Sequence, residues 1–260
     1  MTLKHRKITP IFKFGVSIFV LIGFFPALVA ASVSVTIKPL HSLTVSLTAG
    51  TGISVHLIVY GRNSPHTKLL KPSHLRQLKV SELVIMTDDK TLEIFIEKAD
   101  QVLDKKTKRL SVASKLTGLL EVRDDGDYVH EEEHADEQGH GGKQYDPHIW
   151  NSVSLMRQAT DVIEAELVSV YSAHAAKIKE NAKVLKASLE KLKQETDLKI
   201  KAVQSKPFVV FHDAYQYFEQ EFGLHSEGVM YYNPVAQMSA RHYKEIQDRI
   251  RKKKYSVYFL

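Results

Sequence analysis

Residues 33–59 read VSVTIKPLHSLTVSLTAGTGISVHLIV, and this stretch decides the fold class. Its first five residues, Val33-Ser34-Val35-Thr36-Ile37, alternate and are rich in β-branched side chains, as a strand requires. Lys38-Pro39 ends that strand, because proline has no N–H to give a sheet ladder. Leu40 to Ala49 fits a short helix closed by Gly50 and Gly52, and Val55-His56-Leu57-Ile58-Val59 is a second strand. Strand, helix and strand in this order form a βαβ crossover, the unit from which parallel sheets are built.

The same alternation continues outward. A loop at Tyr60-Gly61-Arg62-Asn63-Ser64-Pro65-His66 precedes a helix opened by Pro72-Ser73, with Ser73 as the expected N-cap. Leu83-Val84-Ile85-Met86 is a short, wholly apolar strand, and Leu92 to Ala99 is helical in pattern. The class expected is therefore α/β with a parallel-type sheet.

Residues 121–142 interrupt the rhythm, with nine acids among His130, His134 and His140 and a Gly139–Gly142 cluster. Such a run has too little apolar surface to bury and reads as a solvated loop. Ser152 to Val203 then contains neither proline nor glycine, and Leu155, Ala159, Ile163, Leu167, Leu185 and Leu189 recur at helical spacing. One helix of that length would reach roughly 75 Å, so the run predicts either a break or a bridge between domains. Beyond it, Pro207–His212 reads as a strand, Ala214–Phe222 as a helix stopped by Gly223, Ser239–Lys253 as a helix and Tyr255–Leu260 as a strand.

Lys4, Arg6, Lys7 and Lys13 precede an apolar stretch, Phe14 to Ala31, that ends in small residues. A basic start, an apolar middle and a small-residue end are the parts of a cleavable export signal at residues 1–31. Gly15, Gly23 and Pro26 argue against a permanent membrane helix there, so no stable membrane insertion is expected after cleavage. That segment contributes +4 of the net formal charge of +6, leaving +2 on the rest, so the basic pI of 9.2 is no argument for nucleic-acid binding. The chain has no cysteine, which excludes thiolate metal sites and leaves imidazole and carboxylate as ligands.

Three of the thirteen histidines stand where regular structure gives way to loop. His66 follows a strand in Ser-Pro-His-Thr, His148 follows the acidic loop in Tyr-Asp-Pro-His-Ile-Trp, and His212 ends a strand beside Asp213. Open α/β sheets bind ligands beyond the carboxyl ends of their strands, and three imidazoles with one oxygen donor suit a tetrahedral cation such as zinc. Their separations match no short metal motif, so spacing makes the trio possible and no more. His174, His225 and His242 read as solvated helix or loop residues.

The sequence around these histidines is more specific. Thr36-Ile-Lys-Pro-Leu-His-Ser-Leu43, Ser64-Pro-His66 with Leu70-Lys-Pro-Ser73, Tyr145-Asp-Pro-His-Ile-Trp150 and Phe208-Val-Val-Phe-His-Asp-Ala-Tyr-Gln-Tyr-Phe-Glu219 resemble, in order, segments of the periplasmic zinc-binding component of bacterial zinc ABC importers, the ZnuA family. The resemblance covers residues 32–260 and includes the acidic insertion. It implies two α/β lobes joined by a long rigid helix, with His66, His148 and His212 as zinc ligands. Its division of the chain is a signal at 1–31, an N-terminal lobe at 32–151 carrying the acidic loop 121–144, a linking helix at 152–203 and a partial second lobe at 204–260.

By the same resemblance His41 lies near the cleft, although a structural hydrogen-bonding role is the favoured reading. His130, His134 and His140 would form a low-affinity metal loop. The implied function is periplasmic capture of zinc by a monomer and delivery to the membrane permease of an ABC importer, by coordination and without enzymatic turnover. A manganese or iron relative and an exported zinc hydrolase are the rival readings. Thr67 and Lys68 depart from the acidic and aromatic residues usual after the first ligand. Relatives also continue past Tyr255–Leu260, so the expectation is a C-terminally truncated chain with an incomplete second lobe.

Overall fold

Four short parallel strands build the first sheet of the computed structural model, which describes residues 31–59, 70–87, 92–93, 95, 101–123, 144–231, 240–252 and 258–259. They are β1 (Ser32–Val35), β2 (Ser54–Leu57), β3 (Leu83–Met86) and β4 (Lys108–Ser111), in the spatial order β2-β1-β3-β4. Helix α1 (Lys38–Thr48) crosses from β1 to β2, so the opening βαβ unit forms as its sequence requires. Pro39 sits in the first turn of α1, where its fixed φ and missing N–H are harmless, so it starts the helix as well as ending the strand.

Alternation along β3 divides the first lobe into two cores. Leu83 and Ile85 join Val33, Val35, Leu40, Leu47 and the helices on one face, while Val84 and Met86 pack with Ile58, Leu78 and Leu103 on the other. A strand buried on both faces has to be apolar throughout, as Leu83–Met86 is. Strand β4 was not apparent from the pattern: only Leu110 of Lys-Arg-Leu-Ser is buried. As an edge strand, it carries charge where unpaired backbone would otherwise invite pairing.

Helix α2 (Pro72–Lys79) is capped by Lys71, not Ser73, because Pro72 takes the first helical position and draws Ser73 inside. His74 Nδ1 accepts the Lys71 N–H at 3.3 Å and closes the turn. Of the helix expected over 92–99, Leu92, Glu93 and Phe95 are described, in a turn. The strand order reverses between β1 and β3, and there the buried Glu93 accepts hydrogen bonds from the hydroxyls of Thr36 and Thr87.

The run 152–203 is not one helix: of the break and the bridge that its length allows, it shows the break, which corrects the single linking helix drawn from the family resemblance. It breaks at Tyr171 and a 3-10 turn, Ser172–His174, into α3 (Val153–Val170) and α4 (Ala175–Lys201). The two fold back as a hairpin, with Arg157 opposite Glu190 at 2.9 Å and Lys186 opposite Asp161 at 2.6 Å. Burial explains the break. Leu155, Ala159, Ile163 and Leu167 of α3 and Ile178 and Ala182 of α4 all enter the same core, which a straight rod cannot achieve. The long helix that leads to the second sheet is α4, 27 residues and roughly 40 Å.

Strand β5 (Phe208–His212) is central in the second sheet, between β6 (Val229–Tyr231) and β7 (Tyr258–Phe259), and both pairings are parallel. Helix α5 (Gln216–Phe222) ends on Gly223, whose φ of +62° is the left-handed cap that the sequence signals. Phe208, Val210, Phe222, Leu224 and Val229 form this lobe's core. Helix α6 (Ala240–Lys252) is held by the buried Ile246 and by His242, whose Nε2 lies 2.8 Å from the Val229 carbonyl. His242 is thus bound to the sheet, not solvated.

Ile85→Ala should cost about 2–5 kcal/mol, since Ile85 is fully buried at the centre of the larger core. A urea titration should show the midpoint falling accordingly.

Candidate metal centre

His148 and His212 come together although 64 residues separate them and they belong to different lobes. Their Nε2 atoms are 3.1 Å apart and their rings stand nearly perpendicular, with centroids 4.9 Å apart. His212 is the last residue of β5, at its carboxyl end, where open sheets place ligand-binding groups.

The segment around His148 is fixed locally. Asp146 Oδ1 accepts both the backbone N–H of His148 at 2.9 Å and its Nδ1 at 2.7 Å, a turn that the intervening Pro147 stiffens. Asp146 N donates to Leu120 O, and Glu121 bridges to Tyr145, so the two stems of the acidic loop close against each other just before the histidine. Trp150 lies edge-on to the His148 ring at 5.2 Å.

Hydrogen bonding assigns the tautomers. The Asp146 carboxylate commits His148 Nδ1 as a donor. His212 Nδ1 faces the Tyr231 carbonyl at 3.3 Å, which can only accept, so this nitrogen also carries its proton. Both Nε2 atoms then present lone pairs toward one another. Two acceptors at that distance repel unless an electrophile, a proton or a metal cation, lies between them. A histidine whose far nitrogen is held by carboxylate or carbonyl is the usual arrangement of a metal ligand.

The surroundings carry excess negative charge. Asp146, Asp213 and Glu219 are buried near the pair, and Arg123 faces two of them, at 2.9 Å from Glu219 and 3.4 Å from Asp213. Three carboxylates against one guanidinium leave a deficit that a dication would balance. Asp146 Oδ2 is buried without a hydrogen-bond partner, and Asp213 Oδ1 has only its ion pair with Arg123. Burial, reinforced by Asp146 and Glu219 and opposed by Arg123 and His148, pushes the Asp213 carboxyl up to about 6.

His66, His130, His134 and His140 lie outside the described residues, as do Thr67 and Lys68. Among the described residues no group of three ligating side chains converges, so the described part of the centre is the pair. His41 is on α1, hydrogen-bonded to the Val55 backbone and beside His56. Burial holds it below the ordinary histidine range, the Val55 bond opposes that shift, and His56 adds to it. Sequence reasoning missed Asp146 as the orienting partner of His148, although Asp-Pro-His is a legible turn. It also missed Arg123 and Glu219, for which no local signal exists, because their pairing spans 96 residues.

The family described as ZnuA, zinc-uptake complex component A, periplasmic, matches residues 33–260. The high-affinity zinc uptake system protein ZnuA of Yersinia pestis is 30% identical over 235 residues, covering 86% of this chain and 73% of that protein. Its namesake in Haemophilus ducreyi is 32% identical over 230 residues, covering 85% and 73%. Among solved structures, a zinc-bound ZnuA deletion mutant superposes with a TM-score of 0.70 at 23% identity, over 86% of this chain and 78% of that one.

Because folding raises the Asp213 pKa, the carboxyl favours the folded state while protonated and loses that contribution as pH rises through about 6. In chelator-treated protein, Asp213→Asn should therefore melt higher than the unsubstituted chain at pH 7.5, and the gap should close by about pH 4. Thermal melts across that range test the sign.

Proposed function

The chain belongs to the family of the periplasmic zinc-uptake complex component A, and on that premise we propose that it captures zinc in the periplasm and delivers it to the membrane permease of an ABC importer. The observation that carries the reading is the His148–His212 pair: two imidazoles from separate lobes, each with Nδ1 committed elsewhere and Nε2 aimed at the other. Imidazole donors favour zinc over manganese, which prefers oxygen. His66 is the third ligand in this proposal, and His130, His134 and His140, with the acids of the loop, hold zinc loosely and raise its concentration near the centre.

The work is coordination without turnover. Zinc arrives hydrated, exchanges water for neutral imidazole, and its charge is balanced by Asp146, Asp213 and Glu219. Asp146 keeps His148 oriented by holding Nδ1, so the lone pair at Nε2 is directed before the ion arrives. The chain reaches the periplasm through its signal at residues 1–31, which is removed, and acts as a monomer. Among the described residues no helix is long and apolar enough to cross a membrane.

Zinc titrations of the His66→Ala, His148→Ala and His212→Ala variants should each lose about 100-fold or more in affinity, beyond the ~10–100-fold typical of residues behind the ligands. Unchanged zinc affinity in all three would refute the site. Manganese should bind more weakly than zinc to the unsubstituted chain. Zinc affinity should also fall between pH 7.5 and 5, as protons compete for imidazoles with an ordinary pKa of about 6.5. A flat profile would contradict histidine ligation.

A further inference from the structure

His148 and His212 belong to different lobes, so the distance between them depends on how firmly the segment 146–151 is tied to the segment 212–217. Two hydrogen bonds tie them, on either side of His148 and both on the C-terminal side of His212. Tyr217 Oη donates to the Asp146 carbonyl at 2.8 Å, two residues before His148 and five after His212. Asn151 Nδ2 donates to the Ala214 carbonyl at 2.6 Å, three residues after His148 and two after His212.

Tyr217 does more than one tether requires. Its hydroxyl also accepts the Leu120 N–H at 3.2 Å, so a single oxygen grips both stems of the acidic loop. Its ring, 2% exposed, is part of the first lobe's core although the residue belongs to a helix of the second. Beside it Gln216 Nε2 donates to Glu121 O at 2.7 Å, and Glu219 receives Arg123. One face of α5 thus reads the base of the loop at Leu120, Glu121, Arg123 and Asp146.

From this we infer that Tyr217 and Asn151 are positioning residues for zinc, acting through the backbone on either side of His148 and just after His212. The inference rests on the reading of His148 and His212 as zinc ligands. Fixing Asp146 from the second lobe also fixes the carboxylate that orients His148, so the tethers set both the separation of the two Nε2 atoms and the angle at which they meet an ion. A coordination sphere assembled from two lobes is otherwise only as well defined as the lobe-to-lobe contact.

The test uses the full chain and its Tyr217→Phe, Asn151→Ala and doubly substituted variants. Tyr217→Phe keeps the ring in the core and removes only the hydroxyl. Each single variant should raise the zinc dissociation constant about tenfold, chiefly through faster dissociation, and the double variant should lose more than either alone. Cobalt(II), bound in place of zinc, should show altered visible bands, because the angle and distance between imidazoles change.

A fall in melting temperature with zinc affinity and cobalt bands unchanged is the outcome of a purely structural role and overturns the inference. If Tyr217→Phe does not fold by circular dichroism, Asn151→Ala decides by the same two readings. His148→Ala and His212→Ala run alongside. If they too bind zinc normally, the zinc-site reading itself fails, whereas loss in these two with normal binding in the tether variants defeats only the positioning role.

Discussion

Two imidazole nitrogens, Nε2 of His148 and of His212, face each other at 3.1 Å, a contact that needs a proton or a cation between them. It persists because each ring is held from behind, His148 by the Asp146 carboxylate and His212 by the Tyr231 carbonyl. Turning either ring away would break the hydrogen bond that its Nδ1 makes. The fold works to keep this arrangement. β5 delivers His212 at its carboxyl end, a proline-stiffened turn delivers His148, and α5 binds the two deliveries together.

Charge follows the same logic. Asp146, Asp213 and Glu219 crowd a small buried volume, and the Asp213 carboxyl resists ionising until about pH 6. Arg123 relieves part of that repulsion and anchors the acidic loop to the second lobe in doing so. What it leaves unbalanced is negative charge, placed where the two imidazole Nε2 atoms converge. On the proposed reading, stability of the metal-free protein and affinity for a dication are set against each other at Asp213. Such opposition is common where function asks for groups that folding alone would not choose.

The helical hairpin shows how burial overrides a local pattern. Residues 152–203 contain nothing that forbids one continuous helix, and helical periodicity alone gives a rod. The break comes at Tyr171 because the apolar faces of both halves have the same core to enter. Only α4 then spans toward the second sheet, while α3 stays with the first. The lobes consequently meet not only through a helix but through side-chain contacts at Tyr217, Asn151, Gln216 and Arg123, which bear directly on the centre.

Much of this molecule was legible in its residues. The βαβ rhythm at 33–59, the apolar strand at 83–86, the glycine that ends α5 and the Asp-Pro-His turn depend on neighbours in sequence, and short-range sterics and burial periodicity suffice to read them. The family segments pointed to His66, His148 and His212 as a trio, of which His148 and His212 are described and lie together. Strands β4 and β6 escaped, since one carries charge at an edge and the other has three residues in the sheet. Tertiary structure alone decided that the helical run folds back, that Tyr217 of one lobe fills the core of the other, and that Arg123 answers Glu219. Those pairings bring together groups far apart in the chain, and their energy comes from desolvation and shared burial, which no window of local sequence contains.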